Sequence, residues 1–172
     1  MSTGGDHRSF FSFDLSSISE VVLDATLLLT RGTSSSNNEA TETLEFFDVS
    51  TNAATLNNNT GGNAAIYADL GSGTSYGAFN IAGSGSLTDI LSFNLNASAL
   101  TDINAASGFF SIGGIMTSDD GFDGVFGGSQ VYTAELRLET RDASVTEPGT
   151  LGLLMLGAMG AASVRRRVRD KA

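Results

Sequence analysis

The chain has 172 residues, with no cysteine, no tryptophan, one histidine, one proline, 21 glycines and a formal charge of −10. That length is enough for one domain with a real core. The lack of cysteine excludes a disulfide framework and Cys-ligated zinc or iron–sulfur sites, and a single histidine excludes multi-His metal sites. The charge is unevenly spread. Residues 1–144 hold four basic residues, Arg8, Arg31, Arg137 and Arg141, against seventeen acidic ones, while Arg165, Arg166, Arg167, Arg169 and Lys171 crowd the last eight positions. A body at −13 repels a phosphate backbone, which argues against nucleic acid as a partner.

In chain order, a short strand is expected at 9–15. The next, 21–30, alternates in the strand period: Leu23, Ala25, Leu27 and Leu29 face a core, Asp24, Thr26 and Thr30 face water, and Leu28 breaks the pattern. Strands follow at 43–49 and 75–81, at 91–95, where Leu91, Phe93 and Leu95 alternate with Ser92 and Asn94, and at 109–117. The cleanest alternation is 132–139, with Tyr132, Ala134, Leu136 and Leu138 inward and Thr133, Glu135, Arg137 and Glu139 outward. Clusters of Gly, Ser, Asn and Thr at 32–38, 57–62, 71–75 and 82–86 are turn chemistry. Two short helices are expected: 64–70, capped by Asn63 and stopped by Gly71, and 99–106, capped by Ser98 with Leu100 and Ile103 on one face. Seven short strands with regular turn signals and no internal repeat give an all-β chain, an antiparallel, jelly-roll-like β-sandwich over residues 1–140.

The opening strands carry a resemblance. Arg8-Ser-Phe-Phe-Ser-Phe-Asp-Leu-Ser-Ser-Ile18 running into Val22-Leu-Asp-Ala-Thr-Leu-Leu-Leu29 resembles the start of the DNRLRE-type jelly roll of bacterial surface proteins, itself similar to carbohydrate-binding modules. The resemblance covers roughly the first thirty residues well and the rest loosely. It implies a jelly-roll body and, as the alternative to a structural matrix protein, a carbohydrate-binding module.

Residues 141–147 form a polar linker ahead of Pro148, the only proline. From 151 to 164, through Leu151, Leu153, Leu154, Leu156 and Val164, fourteen residues carry no charge, and Arg165, Arg166, Arg167 and Arg169 follow. Leu, Met and Ala favour helix, so 148–172 is expected to hold a hydrophobic C-terminal helix. At 1.5 Å per residue, the stretch from Pro148 to Val164 reaches about 25 Å, a little short of the roughly 30 Å hydrocarbon core. Basic residues beside a span stay cytoplasmic, which places the body across the membrane.

This order of motif, short apolar stretch and arginine cluster resembles the PEP-CTERM sorting signal of Gram-negative bacteria. Thr146-Glu147-Pro148-Gly149-Thr150 corresponds to its Pro-Glu-Pro motif and continuation, with Thr146 in place of the first proline. The resemblance implies a non-enzymatic protein held briefly in the inner membrane and cut near the motif by exosortase, a membrane cysteine protease. The body would then be delivered to the cell surface or the extracellular matrix of a biofilm, and because such substrates tend to occur in bacteria that make extracellular polysaccharide, the resemblance implies exopolysaccharide as a partner. A permanent C-terminal membrane anchor and a buried core helix are the plainer readings of the same segment. The resemblance also implies an export signal. Residues 1–8 contain no apolar h-region, so the chain is expected to lack its native N-terminus and signal peptide.

The remaining chemistry is thin. His7 is the only imidazole and lies in a terminal segment; there is no Gly-x-Ser-x-Gly elbow and no Gly-Lys-Ser/Thr phosphate loop, so neither a hydrolase nor a nucleotide-binding protein is expected. Asp119, Asp120 and Asp123 among glycines are the best metal candidate, for Ca²⁺, but the pattern lacks the twelve-residue loop with its terminal Glu and reads first as a solvated acidic loop. No cofactor is expected. Tyr67, Tyr76 and Tyr132 are candidates for stacking on sugar rings, with core packing the simpler role. Asn58-Asn59-Thr60 and Asn96-Ala97-Ser98 fit the glycosylation triplet, a pattern that arises by chance in a chain so rich in Asn and Ser.

Overall fold

A computed structural model describes residues 8–31, 40–58, 62–117 and 133–141. They fall in one unit, Met1–Thr140, apart from the last residue of the final strand. Seven strands and three short helices are present among them: β1 (Arg8–Asp14), β2 (Val21–Thr30), β3 (Thr41–Asp48), α1 (Ala53–Asn57), α2 (Ala64–Asp69), β4 (Ser75–Ala82), β5 (Ile90–Asn94), α3 (Ala97–Ala105), β6 (Phe109–Met116) and β7 (Ala134–Arg141). They build two sheets, one ordered β1-β6-β3-β4 and one ordered β5-β2-β7. The pairings of β1 with β6, of β3 with β6 and β4, and of β2 with β5 are antiparallel. All seven expected strands are present within two residues of their expected limits. The C-terminal helix expected within 148–172 lies outside the described residues.

One core joins the sheets. The first contributes Phe11, Leu44, Phe46, Phe110 and Ile112, the second Ala25, Leu27, Leu29 and Phe93, and α3 adds Ala99 and Ile103. Phe46 is its centre, with the Phe93 ring edge-on at 5.1 Å and the Phe79 ring tilted at 5.9 Å. Such pairs contribute about 0.5–1.5 kcal/mol each beyond the area they bury. The helices between β3 and β4 cover the outer face of the first sheet. Leu56, Ile66 and Leu70 form a second cluster there with Phe10 and Val49. Gly113 of β6 makes this possible: a Cβ at that position would collide with the carbonyl of Leu70, so only glycine lets the end of α2 rest on the sheet.

Alternation decides much of the packing, and its exceptions in β2 and β4 have local causes. In β2, Ala25, Leu27 and Leu29 are fully buried as expected, but Val22 is buried and Leu23 is exposed, the reverse of the expected phase. The cause is Asn104 of α3. Its carboxamide accepts from Val22 N at 2.8 Å and donates to Val22 O at 2.9 Å, serving as a pairing partner ahead of the stretch Thr26–Thr30 that pairs with β5. In β4, Tyr76 and Phe79 both face the core because the β3–β4 register slips by one residue at Phe46/Phe47, opposite Gly77. Gly77 has φ +141°, a backbone conformation that suits glycine at such a bulge. β7 keeps its expected phase, with Leu136 and Leu138 packed against the core, while Ala134, expected inward, is exposed where the edge strand begins.

The helix caps follow local chemistry. Asn63 caps α2 as expected, its side-chain oxygen accepting from Ala65 N and Ile66 N. α3 begins earlier than expected. Asn96, not Ser98, is its cap, accepting from Ser98 N and Ala99 N, because β5 hands over to the helix directly after Leu95 N bonds Ala25 O. α1, capped by Asn52, has no counterpart among the expected elements: a single turn leaves no periodic signal in the sequence.

Candidate functional site

The sorting residues Thr146, Glu147, Pro148, Gly149 and Thr150, the apolar residues Leu151, Leu153, Leu154, Leu156 and Val164, and the arginines Arg165, Arg166, Arg167 and Arg169 lie outside the described residues. So do Asp119, Asp120 and Asp123, with His7 and Tyr132. Among the described residues no helix is long and apolar enough to cross a membrane, and no group of three or more potential metal ligands comes together.

The two described tyrosines have other employment. Tyr76 is 1% exposed; its ring stacks near Phe110 at 5.8 Å and its hydroxyl donates to Asp102 Oδ2 at 2.8 Å. Burial and the Asp102 carboxylate push its phenol far above the ordinary tyrosine range, so it stays protonated and structural. Tyr67 is exposed, but the Arg8 guanidinium lies 4.3 Å from the centre of its ring. Arg8 also donates to Tyr67 O and Ala68 O, satisfying last-turn carbonyls of α2, so this cation fastens β1 to the helix. Asn96, the described asparagine of the second glycosylation triplet, is engaged by its capping bonds and by donation to Ser75 O at 2.9 Å.

A further polar centre sits where strands β4 and β5 approach their connection. Arg31 follows Leu27 and Leu29 in the inward phase of β2 and is 2% exposed. Its backbone N donates to Asp89 O at 2.9 Å, and its Nη2 donates to Ala82 O at 2.8 Å. Its Nε is buried with no hydrogen-bond partner among the described residues. A buried donor left without an acceptor costs about 1–3 kcal/mol. Asp89 turns back on the same loop, its Oδ2 accepting from Ser86 N at 2.7 Å. Gly85 lies against both groups: a Cβ there would stand 2.5 Å from Asp89 Oδ2 and 2.7 Å from Arg31 Nε, so cation and carboxylate are near neighbours. Beside them opens a cleft of about 500 Å³ between the edges of the two sheets. Glu42, also fully buried, enters the core from β3 at the same end, since it stands opposite Ile81, the neighbour of Ala82.

Arg31 belongs to none of the motifs read from the sequence, yet a signal for it exists. It is the only basic residue between Arg8 and Arg137, and it continues the inward parity of Ala25, Leu27 and Leu29. Parity alone marks a charge in that phase, at the end of an otherwise apolar face, as a buried charge.

The tail is decided by comparison with known families. Residues 144–167 match the family model of the PEP-CTERM protein-sorting motif. The match begins after the last residue of β7 and covers none of the sandwich, so the chain carries a PEP-CTERM motif at the end of an acidic β-sheet body. No curated protein and no solved structure matches the chain.

Proposed function

We propose that this chain is an exported, non-catalytic surface or extracellular-matrix protein that is delivered through its C-terminal PEP-CTERM motif. The match of residues 144–167 carries the reading. In it, the apolar stretch from Leu151 to Val164 enters the inner membrane as a short helix, and Arg165, Arg166 and Arg167 hold its end on the cytoplasmic side. Counted from Pro148, the span reaches about 25 Å, about 5 Å short of the hydrocarbon core, which suits temporary holding better than permanent anchoring. Exosortase then cuts near Glu147-Pro148, and the body leaves for the surface. The jelly-roll resemblance of the first thirty residues, and the polysaccharide-rich setting in which such substrates occur, make biofilm exopolysaccharide the proposed companion of the body.

The test separates sorting from plain anchoring. Full-length protein is expressed behind a working signal peptide in a host that has exosortase, as wild type, as Pro148→Ala and with Arg165, Arg166 and Arg167 all replaced by Ala. Wild-type body is expected in the surface or medium fraction, and both variants are expected to remain uncut in the membrane fraction. Equal release of all three forms would contradict the reading, and retention of all three would favour a permanent anchor.

A further inference from the structure

We propose that β7 is a docking edge for a second copy of this chain, and that two copies pair their β7 strands antiparallel about a two-fold axis at Leu138. The pairing joins two three-stranded sheets into one of six strands, ordered β5-β2-β7-β7-β2-β5. It concerns the body alone and does not depend on how the tail is processed.

β7 is the last strand of its sheet and pairs only with β2 among the described residues. Thr30 N donates to Thr133 O, so the end of β2 meets the start of β7 and the two run antiparallel. In such a ladder alternate residues turn both backbone groups toward the same neighbour. Thr133 begins the set that faces β2, which leaves the N–H and C=O of Leu136, Leu138 and Thr140 directed at the open edge. The strand carries no proline and no inward-pointing charge, two of the usual guards of an open edge, and its inward Leu136 and Leu138 are only half-buried.

The charges of the strand choose its partner. Glu135, Arg137, Glu139 and Arg141 follow one another on the outward face, all exposed and alternating in sign. Pairing about Leu138 sets Glu135 opposite Arg141 of the second copy and Arg137 opposite its Glu139, so two-fold symmetry gives four pairs of opposite charge. These pairs fall between the cross-strand hydrogen bonds, where facing residues come closest, with Cα atoms about 4.5 Å apart. An axis at Arg137 or Glu139 sets like charges opposite each other, and an axis at Leu136 or Thr140 keeps only two of the four pairs. On the inward face, the axis at Leu138 brings that leucine against its own copy and covers what the sandwich leaves open. In the single chain Arg137 Nη2 turns sideways to Glu135 Oε1 at 3.1 Å, with the two side chains 63% and 59% exposed. Such an exposed pair contributes little and is readily exchanged for a cross-strand partner. The strand also holds two of the four arginines of a body carrying −13, so it is a neutral place at which two acidic bodies can meet.

The test is a charge swap read by sedimentation of the full chain in detergent micelles at submillimolar concentration. Four samples are compared: wild type, Glu135→Arg with Glu139→Arg, Arg137→Glu with Arg141→Glu, and an equal mixture of the two variants. Wild type is expected to dimerise and each variant alone to associate at least tenfold more weakly. The mixture is expected to regain the wild-type level, because every facing pair is again of opposite sign. Hydrogen exchange gives a readout on the unaltered chain: the amides of Leu136, Leu138 and Thr140 are expected to gain protection as concentration rises. A wild type that stays monomeric would overturn the proposal, as would dimers that survive in both variants, since the tail or another face then holds them. A mixture no better than its components would rule out the pairing about Leu138. Protection of the three amides that is already complete at high dilution would also sink it, because the edge is then covered by the chain's own residues.

Discussion

The body and the tail of this chain carry their apolar residues in opposite ways. In the body they alternate, so that Leu27, Leu29, Phe46, Phe93 and Ile112 each occupy a place in a core shared by two sheets. In the tail, fourteen residues from Leu151 to Val164 run without a charge and end on arginines. A core reads side chains one position at a time, because each neighbour is fixed and close-packed. A bilayer reads average hydrophobicity and length, and a sorting enzyme reads a short linear string. Substitutions in the body should therefore change stability and leave sorting intact, whereas those in the tail should do the reverse.

The sharpest break of that division would come from Phe46→Ala. Phe46 is 1% exposed at the meeting point of three aromatic rings, and its truncation is expected to lower unfolding free energy by about 3–5 kcal/mol in urea denaturation. Where the variant still folds, the fraction processed at the tail should equal wild type. Gly113→Ala comes next. Its methyl must displace the end of α2 from the sheet, for an expected loss of about 1–3 kcal/mol, and hydrogen exchange should localise the change to α2 and β6. Asn63→Ala removes the two capping bonds of α2 and is expected to cost about 1 kcal/mol, measurable as a shift in the urea midpoint at unchanged slope.

The smallest effect is a pH dependence. Burial pushes the Asp69 carboxyl up, but hydrogen bonds from Thr51 and Ser50 outweigh it and hold the group below the ordinary aspartate value. A depressed folded pKa stabilises the fold above the unfolded pKa near 3.8, and this contribution fades as pH falls through the lower folded value. Asp69→Asn should therefore flatten the acid limb of the stability curve below about pH 4 and leave the tail's processing as it is.

The same division explains what was legible in the sequence. All seven strands were, because a half-buried strand writes its period directly into the residues, as in 132–139 and 91–95. The phase of Val22 was not, since it depends on Asn104, eighty-two positions away. Nor was the early start of α3: Asn96 and Ser98 are both good caps, and the choice falls to where β5 ends. Arg31 was legible in parity but not in meaning, because the cleft beside it exists only once β4 and β5 come together. The sorting motif needed no fold at all: it is a string of residues from 144 to 167, legible without any long-range contact.

If the tail is a cut signal and the body its cargo, the mass of the body depends on exosortase. The intact mass of the body is measured after recovery from strains with and without exosortase, the chain being expressed behind the same signal peptide in both. A body ending near Glu147-Pro148 is expected in the first strain and an uncut C-terminus through Ala172 in the second. The same mass in both strains would contradict it.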